Sequence, residues 1–302
     1  MKKINLNYKL TNNQTKKLIK KFATKDHYDK VINESCDGFD PQGNQIFSFR
    51  KKFIPKKILK DSFESLKGAA SKTFNRGSAS GGERKLSKNK EGKETKYMTT
   101  VIPGTDESFS VNSGIIGYFD RSSRYDFCRT TAFNKKYLNK FEAAVPLVEF
   151  VDKSFKEIVP KRHAKQLSMV KATDPNYRIG ETAFSTITVN KDYRTAYHTD
   201  DGDFRPGFGN LIAYCKDIEP VYLVLPKYGV AINVDTEDLL LVDVHEVHGN
   251  TEIIKKTKNA IRLSFVMYYR ENMWKCLPPG EELKRVKKNQ RIISQKYIEG
   301  IL

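Results

Sequence analysis

The pair of residues in this sequence best suited to chemistry is His198 and Asp200, a histidine and an acid separated by one residue. They lie in the segment TAYHTDDGDF, directly after a run with the character of a β-strand. Because residues i and i+2 of an extended chain point to the same side, the imidazole and the carboxylate can bind one metal ion. The H-x-D pattern alone is common by chance, so a metal site requires a third ligand from elsewhere.

The third ligand has two candidates, His245 and His248, in the segment VDVHEVHGN. We favour His248 because it follows a strand-like run and immediately precedes a glycine, while His245 remains the alternative. Two histidines and one carboxylate on one side of a metal are typical of mononuclear non-haem iron sites, which keep the other side open for a cosubstrate and O₂. A zinc hydrolase can use similar ligands, so the triad alone does not identify the metal.

An arginine in an apolar strand narrows the choice of chemistry. Arg262 lies downstream of His248 in the run AIRLSFVMYY. A buried guanidinium is costly unless it meets an anion, and its planar shape suits a carboxylate through two parallel hydrogen bonds. This is what is needed to hold the distal carboxylate of 2-oxoglutarate. The ordered set of H-x-D, His-Gly and a strand arginine therefore favours an oxygenase over a metal-free structural barrel.

The elements that would position these residues are short strands that follow two helical segments. Residues 135–157 place apolar side chains at three- and four-residue steps, which predicts an amphipathic helix, and 161–170 predict a second one. From residue 181 onward, short β-type runs alternate with turns, which is typical of a β-sandwich or jelly roll. We predict an α+β fold, with a double-stranded β-helix core of the jelly-roll or cupin type braced by N-terminal helices.

Composition divides the chain into three parts. Residues 1–96 form a basic N-terminal region, in which 67–95 are rich in Gly, Ser and Lys and without apolar periodicity, so a flexible loop is expected there. Residues 97–276 are expected to form the dioxygenase domain, and 277–302 a basic helical tail.

The charge of the chain favours a polyanionic partner. The sequence has 54 Lys and Arg against 36 Asp and Glu, a net charge of +18, which points to nucleic acid before an acidic membrane surface. A lysine-rich solvated surface from an AT-rich genome would have the same composition. No apolar run approaches the length of about 18 residues needed to span a membrane. Four scattered cysteines without a C-x-x-C pair argue against a zinc module and a disulfide framework. We expect a reduced, intracellular monomer, cytoplasmic or nuclear, of a microbe, phage or virus.

Three segments, TVNKDYRTAYHTDDGDF, VDVHEVHGN and RLSFVMYYR, resemble the TET/JBP family of Fe(II)- and 2-oxoglutarate-dependent dioxygenases. The upstream segment GYFDRSSRYDFCRTTAFN is also similar to the stretch before that family's catalytic core. The resemblance covers residues 110–272 and is most specific at 188–204 and 239–270. Family members oxidise the 5-methyl group of a pyrimidine in DNA, thymine in the JBP branch and 5-methylcytosine in the TET branch. The cysteine-rich zinc module of animal TET proteins and a modified-base-binding domain of the JBP kind are missing from this sequence, so the partners of those proteins are not carried over.

The resemblance implies a set of site residues. The Fe(II) ligands would be His198, Asp200 and His248, with Arg262 binding 2-oxoglutarate and O₂ as the second cosubstrate. Arg129, in CRTTAF, is a candidate for contacting the cosubstrate or the substrate, with a structural salt bridge as the alternative. Further candidates are Asn190 for the cosubstrate and, for the substrate, Asp203 and Tyr197, with a core position as the alternative for Tyr197.

DNA as the substrate agrees with both the reaction and the charge. A methyl group on a stacked base cannot reach a buried metal, so a duplex would need the base flipped out, and Lys or Arg contacts to phosphates would support that state. Candidate phosphate contacts, each of which could also be a solvated charge, are Lys85, Lys88, Lys90 and the tail at 284–288. The alternatives are the same chemistry on RNA, a nucleoside or a protein side chain, and a non-catalytic DNA-binding barrel. Thymine and 5-methylcytosine are not distinguished by the sequence.

Overall fold

Strands dominate the computed structural model, which describes residues 1–122 and 125–298. The strands are β1 (Lys2–Asn5), β2 (Lys30–Ile32), β3 (Cys36–Phe39), β4 (Gln45–Arg50), β5 (Ser71–Thr73), β6 (Glu83–Lys88), β7 (Glu94–Val101), β8 (Val111–Phe119), β9 (Arg129–Thr130), β10 (Thr186–Lys191), β11 (Gly209–Lys216), β12 (Tyr222–Leu225), β13 (Val230–Asn233), β14 (Leu239–Val242), β15 (Gly249–Asn250) and β16 (Ile261–Tyr268). The α-helices are α1 (Asn12–Lys16), α2 (Lys56–Leu66), α3 (Ala132–Lys136), α4 (Leu138–Ile158), α5 (Pro160–Ala172) and α6 (Pro279–Ile298).

Two sheets packed together form the core. The major sheet has the order β1-β3-β4-β14-β11-β16-β10-β8-β5, with β9 paired to β8, and the minor sheet has the order β15-β12-β13-β2. Phe47 and Leu240 of the major sheet share one buried apolar cluster with Leu225 and Ile232 of the minor sheet. Two mostly antiparallel sheets joined by such a layer form the jelly-roll arrangement. The prediction of a double-stranded β-helix core is therefore confirmed.

Helices cover the other face of the major sheet. Phe63 of α2 and Phe155 of α4 pack in one cluster with Ile187 of β10 and Phe265 of β16. The apolar stripe of α4 that the sequence predicts thus faces the sheet, and α4 continues through Pro146. The molecule has three layers, helices, major sheet and minor sheet, as the prediction of a helix-braced core requires.

Alternation along β16 and β10 separates the packing residues from the residues available to a site. Leu263 and Phe265 of β16 are in the helix-side cluster, whereas Ser264 and Val266 line a cavity on the other side. Because side chains of a strand alternate between its two faces, Arg262 belongs to the same side as Ser264 and Val266. Along β16, one side thus packs against the helices, and the other side faces the cavity.

The N-terminal region belongs to the same sheets as the rest of the chain. Strand β4 pairs with β14, and β2 pairs with β13. The segment 67–95, expected to be a flexible loop, instead contains β5 and most of a hairpin formed by β6 and β7. The sequence ERKLSK of β6 is charged or polar at most positions, so the hairpin lacks the apolar periodicity by which a strand is detected.

The remaining helix predictions differ from the structure only at their boundaries. The segment predicted at 135–157 comprises the end of α3 and most of α4, and 161–170 lie within α5. The predicted tail contains α6, while residues 299–302 of that prediction lie outside the described residues. No helix in the described part of the chain is long and apolar enough to cross a membrane.

The cysteines depart from the expectation of a reduced protein. Cys128 and Cys276 form a disulfide, whereas Cys36 and Cys215 are free. The sequence argument against disulfides is therefore wrong at this pair. The two residues are 148 positions apart, so no local spacing pattern could reveal that the fold brings them together.

Candidate active site

Backbone pairing brings the two halves of the predicted metal site together. His198 and His248 form an antiparallel bridge in which each backbone N–H donates to the other's carbonyl at 3.0 Å. The N–H of Asp200 donates to the carbonyl of Val244, also at 3.0 Å. One metal-binding atom from each of His198, Asp200 and His248 lies within 4.8 Å of the other two. These residues are the cluster of histidine and acid side chains in the described chain that could hold an ion.

Hydrogen bonds fix how the two imidazoles are presented. Nδ1 of His198 lies 2.8 Å from the carbonyl of Ala196, and Nδ1 of His248 lies 2.9 Å from the carbonyl of Glu246. Because a carbonyl only accepts, each Nδ1 carries the proton and each Nε2 is left with its lone pair. The Nε2 atoms lie 3.6 and 3.7 Å from the two carboxylate oxygens of Asp200. Burial and the neighbouring His198 lower the pKa of His248, which keeps it neutral and able to bind a cation.

The glycine after His248 is required by close packing at the bridge. A Cβ at Gly249 would lie 3.0 Å from the backbone nitrogen of Tyr197, tighter than most real contacts. A larger residue there would push apart the strand ends that carry the two histidines. The His-Gly pair noticed in the sequence thus has a steric reason.

His245, the alternative third ligand, has other partners. Its Nε2 lies 3.2 Å from the carbonyl of Asp203, and its Nδ1 lies 3.4 Å from a carboxylate oxygen of Asp243. The Asp243 carboxylate raises the pKa of His245. The geometry therefore groups His248, and not His245, with His198 and Asp200.

Arg262 is the buried cation that the sequence predicts. Its side chain is 3% exposed, and its Nε has no hydrogen-bond partner within the described chain. Burial lowers the pKa of Arg262, and the Cys215 thiol, its neighbour across the strand pair, opposes that shift. A buried guanidinium with an unused donor fits a bound carboxylate, because two parallel N–H donors match two carboxylate oxygens. The site therefore fits 2-oxoglutarate at this end.

A cavity of about 530 Å³ extends from the triad. Its inner part is lined by His198, Asp200 and His248 together with residues of β10 and β16. Four guanidinium groups also line it, those of Arg76, Arg84, Arg129 and Arg270. Only Arg129 of the four lies in a segment that the sequence singles out. Arg76 and Arg84 lie in the segment predicted as a flexible loop, and Arg270 follows the end of β16 and belongs to no motif.

An ion pair joins the metal-bearing turn to the end of β16. Arg270 lies 3.7 Å from a carboxylate oxygen of Asp203 and 3.2 Å from one of Asp120. Asp203 is buried, and burial followed by the nearby Asp200 raises its pKa. A Cβ at Gly202 would lie 2.1 Å from the Arg270 guanidinium, so a glycine is needed for this approach. Asp203, a predicted substrate contact, thus lines the cavity as part of a pair with Arg270.

Arg129 and Asn190 line the same cavity. The guanidinium of Arg129 lies 4.2 Å from the ring centre of Tyr125 and donates to the carbonyl of Asp120 at 3.1 Å. The side-chain oxygen of Asn190 accepts from the Ser113 hydroxyl, which is also bonded to the Arg76 guanidinium. Both residues are placed where a cosubstrate or substrate would be in reach.

Tyr197 and two of the predicted phosphate contacts, Lys85 and Lys88, lie outside the cavity lining. Tyr197 is fully buried in a cluster with Val224, Ala231 and Val247, so the expectation that it lines the pocket is not met. It precedes His198 by one residue, and strand alternation directs it to the opposite side. Lys85 and Lys88 lie on β6, where both ammonium groups pair with Asp106 at 3.0 and 2.9 Å.

The jelly-roll fold and the cluster of two histidines and one carboxylate are together typical of mononuclear non-haem iron oxygenases. The family model Tet_JBP, described as the oxygenase domain of the 2OGFeDO superfamily, matches residues 114–271. The chain belongs to this family, as its sequence motifs indicate.

Curated relatives carry the names of thymine dioxygenases. The chain is 37% identical over 183 residues to thymine dioxygenase JBP1 of Trypanosoma brucei brucei, covering 59% of this chain and 22% of the relative. It is 33% identical over 194 residues to the bifunctional helicase and thymine dioxygenase JBP2 of Leishmania tarentolae, covering 63% and 17%. The chain thus spans only about a fifth of the length of these relatives.

A solved structure shows the same fold. The structure of NgTET1 in complex with 5mC DNA superposes with a TM-score of 0.54 at 14% identity, covering 86% of this chain and 87% of that one. This coverage extends well beyond residues 114–271, so the likeness in fold includes segments outside the family match.

Proposed function

We propose that this chain is an Fe(II)- and 2-oxoglutarate-dependent dioxygenase that hydroxylates the 5-methyl group of a pyrimidine base in DNA, thymine or 5-methylcytosine. The observation that carries the proposal is the cluster of His198, Asp200 and His248 in a cavity that Ser264 and Val266 of β16 also line, since strand alternation assigns the buried, incompletely bonded Arg262 to that same side of β16. An arginine in a structural ion pair would have a carboxylate partner, whereas the Nε of Arg262 is unbonded. A metal-free barrel would not require three metal-binding atoms within 4.8 Å of one another.

The metal and cosubstrate would be held by residues already in position. His198, Asp200 and His248 would bind Fe(II), and Arg262 would bind the distal carboxylate of 2-oxoglutarate. When bound, Fe(II) and 2-oxoglutarate would supply the oxidising power for O₂ to hydroxylate the methyl group, with succinate and CO₂ as the other products. The protein contributes fixed ligand geometry, because both imidazoles are locked by their Nδ1 hydrogen bonds.

The cavity fits a single base and not a duplex. Its volume of about 530 Å³ lies in the usual range of small-molecule pockets, so a base would enter it singly, out of the stack. Asp203 and Arg270 offer a paired acceptor and donor close to the triad, which suits the polar edge of a pyrimidine. Arg76, Arg84 and Arg129 supply positive charge for the phosphates around it.

Of the two candidate bases, we expect thymine to be the substrate. The curated relatives with 37% and 33% identity are both named thymine dioxygenases, whereas the structure bound to 5mC DNA shares 14% identity. The charge of +18 and the four cavity arginines favour DNA over an uncharged substrate. We propose that the chain acts on DNA as a monomer inside the cell, in the cytoplasm or nucleus.

The experiment that tests the proposal uses two DNAs and one variant. Purified protein is supplied with Fe(II), 2-oxoglutarate and air, and incubated with unmodified DNA or with DNA that contains 5-methylcytosine. Digested nucleosides are examined by mass spectrometry for one added oxygen atom. We expect oxidised thymidine or 5-methyldeoxycytidine with the native protein and none with His198→Ala. Succinate formed without an oxidised base in either DNA would overturn the DNA substrate, and RNA, nucleosides and protein side chains would be tested next.

A further inference from the structure

We propose that the β6–β7 hairpin is a wedge for duplex DNA, with Tyr97 entering the base stack at the position that the reacting base leaves. This inference rests on the proposed function and deepens it, since it assigns the element that opens the duplex beside the cavity. The hairpin precedes the family match at 114–271, so the family model says nothing about it.

The hairpin is a separate element anchored at one end. Among the described strands, β6 and β7 pair with each other and form their own two-stranded sheet. The anchor lies at Thr100, whose N–H donates to the carbonyl of Phe74 at 2.7 Å and whose hydroxyl accepts from the N–H of Gly77 at 2.9 Å. The opposite end is the turn at 89–93, which is exposed. A two-stranded hairpin has little stability alone, so this anchor, together with the ion pairs of Lys85 and Lys88 with Asp106, holds it in place.

The hairpin borders the opening of the cavity. The lining residues of the inner end, such as His198, His248 and Tyr268, are buried. The lining residues with mostly exposed side chains mark the solvent side, and they are Asn75, Arg84, Tyr97 and Asp201. Arg84 and Tyr97 belong to the hairpin, and Tyr97 is the large aromatic side chain of this group. A base that leaves a duplex to reach the triad would pass this residue.

The surface around Tyr97 is unusually apolar for an exposed element. Tyr97 is 45% exposed, Leu86 40%, and Phe74 and Ile102, at the anchored end, 44% and 39%. Two of these side chains, Tyr97 and Leu86, belong to the hairpin itself, and exposed apolar groups beside a cavity are typical of a surface that contacts a partner. Leu86 lies opposite Met98 in the strand pairing, and Met98 and Tyr97 both line the cavity, so this part of the hairpin brings apolar side chains to the opening.

The charges of the hairpin identify the partner as nucleic acid. Residues 83–101 contain six Lys and Arg against three Glu. A cationic element with an exposed aromatic beside a base-sized cavity matches the phosphates and the bases of a duplex at once. Proteins that unstack DNA insert apolar side chains between base steps, and enzymes that act on a flipped base must compensate for the lost stacking. Tyr97 is placed to do this.

The test compares duplex with single-stranded DNA of the same sequence. A wedge matters only where a base must leave a stack, so Tyr97→Ala should lower the ratio of duplex to single-strand kcat/KM by about tenfold, as expected for losing one stacked base. Tyr97→Phe should keep the native ratio, since the ring is retained. The control is Tyr8→Ala, because Tyr8 is also 45% exposed but lies outside the cavity lining.

A second readout does not need turnover. A 2-aminopurine next to the target base should brighten when the native protein binds the duplex, and should brighten less with Tyr97→Ala at equal saturation. The wedge proposal would be overturned if Tyr97→Ala kept both the native ratio of duplex to single-strand kcat/KM and the native change in fluorescence. If the native protein oxidises neither DNA, the proposed function fails, and the fluorescence comparison still decides the inference separately.

Discussion

The inner end of the cavity and its opening are built from different kinds of sequence. The inner end lies within the family match, and its His198 and His248, like Arg262 on the same side of β16, are less than a tenth exposed. The opening includes Arg84 and Tyr97, which lie on a hairpin before the match and are exposed. Strand pairing in the core thus positions the candidate metal and cosubstrate residues. Segments outside the family match, such as the hairpin, form the opening through which a substrate would enter.

The two ends also differ in charge. The inner end holds one carboxylate beside two imidazoles, and the buried Arg262, with an unbonded Nε, lies on the same side of β16. The opening carries several cations that already have neighbours, such as Arg129 above Tyr125. Substitutions at the inner end should therefore act on iron and cosubstrate, and substitutions at the opening on DNA.

The largest effect is expected for the triad. His198→Ala and Asp200→Ala each remove one of three converging ligands, so bound iron and base oxidation should both fall to the detection limit. His245→Ala is the matched control, because this histidine lies beside the site but bonds to Asp203 and Asp243. Iron content and product yield are measured together. Equal loss of iron in the control would contradict the assignment of His248.

Next in size is the effect of Arg262→Met. The KM for 2-oxoglutarate should rise about 100-fold, because loss of one partner of a buried charge pair costs about 2–5 kcal/mol. Without cosubstrate the same variant should unfold no more easily than the native protein, since a buried guanidinium with an unbonded Nε is itself costly. Steady-state kinetics and denaturant unfolding measure the two outcomes. An unchanged KM would show that the cosubstrate binds elsewhere.

A smaller effect is expected at the opening, from the Cys128–Cys276 disulfide. Its reduction should lower the free energy of unfolding by about 2–4 kcal/mol, since it closes a long loop. It should also affect DNA more than 2-oxoglutarate, because Cys128 adjoins Arg129, which lines the cavity. The double variant Cys128→Ser with Cys276→Ser serves as the control, and added reductant should leave it unchanged. If reductant alters neither the native stability nor DNA binding, the bond does not stabilise the opening.

The smallest effect concerns pH. Asp243 raises the pKa of His245 above its usual 6.5, so the pair stabilises the fold below about pH 6.5 and loses that contribution as pH rises through the shifted value. The pKa of Asp243 is lowered, so the contribution also fades when the carboxylate is protonated in acid. His245→Gln should therefore cost most between about pH 4 and 6.5, by about 1 kcal/mol or less at this partly solvated pair. Urea unfolding at several pH values tests this, and a cost that grows above pH 7 would contradict it.

The inner end was largely predictable from sequence, for a physical reason. Ligand spacing in H-x-D, the glycine after His248 and an arginine in an apolar strand are all local patterns, and strand alternation turns them into geometry. The same alternation should have placed Tyr197 opposite His198, where it packs in the core. Being next to a metal ligand in sequence therefore does not place Tyr197 in the pocket.

The opening could not be predicted in the same way. Strand β6 of the hairpin is charged or polar at most positions and so lacks a periodic apolar signal, and Arg76, Arg84 and Arg270 belong to no recognisable motif. The disulfide depends on a tertiary contact between residues 148 positions apart. Features that arise from such contacts leave no trace in a single sequence.

The most direct test of the central claim is the stoichiometry of products on duplex DNA that contains thymine and 5-methylcytosine. Succinate and oxidised nucleoside are measured in the same reactions, with and without Fe(II) and 2-oxoglutarate. We expect about one oxidised 5-methylpyrimidine for each succinate, and neither product when iron or cosubstrate is omitted. Succinate without any oxidised base, or oxidised base without cosubstrate, would contradict it.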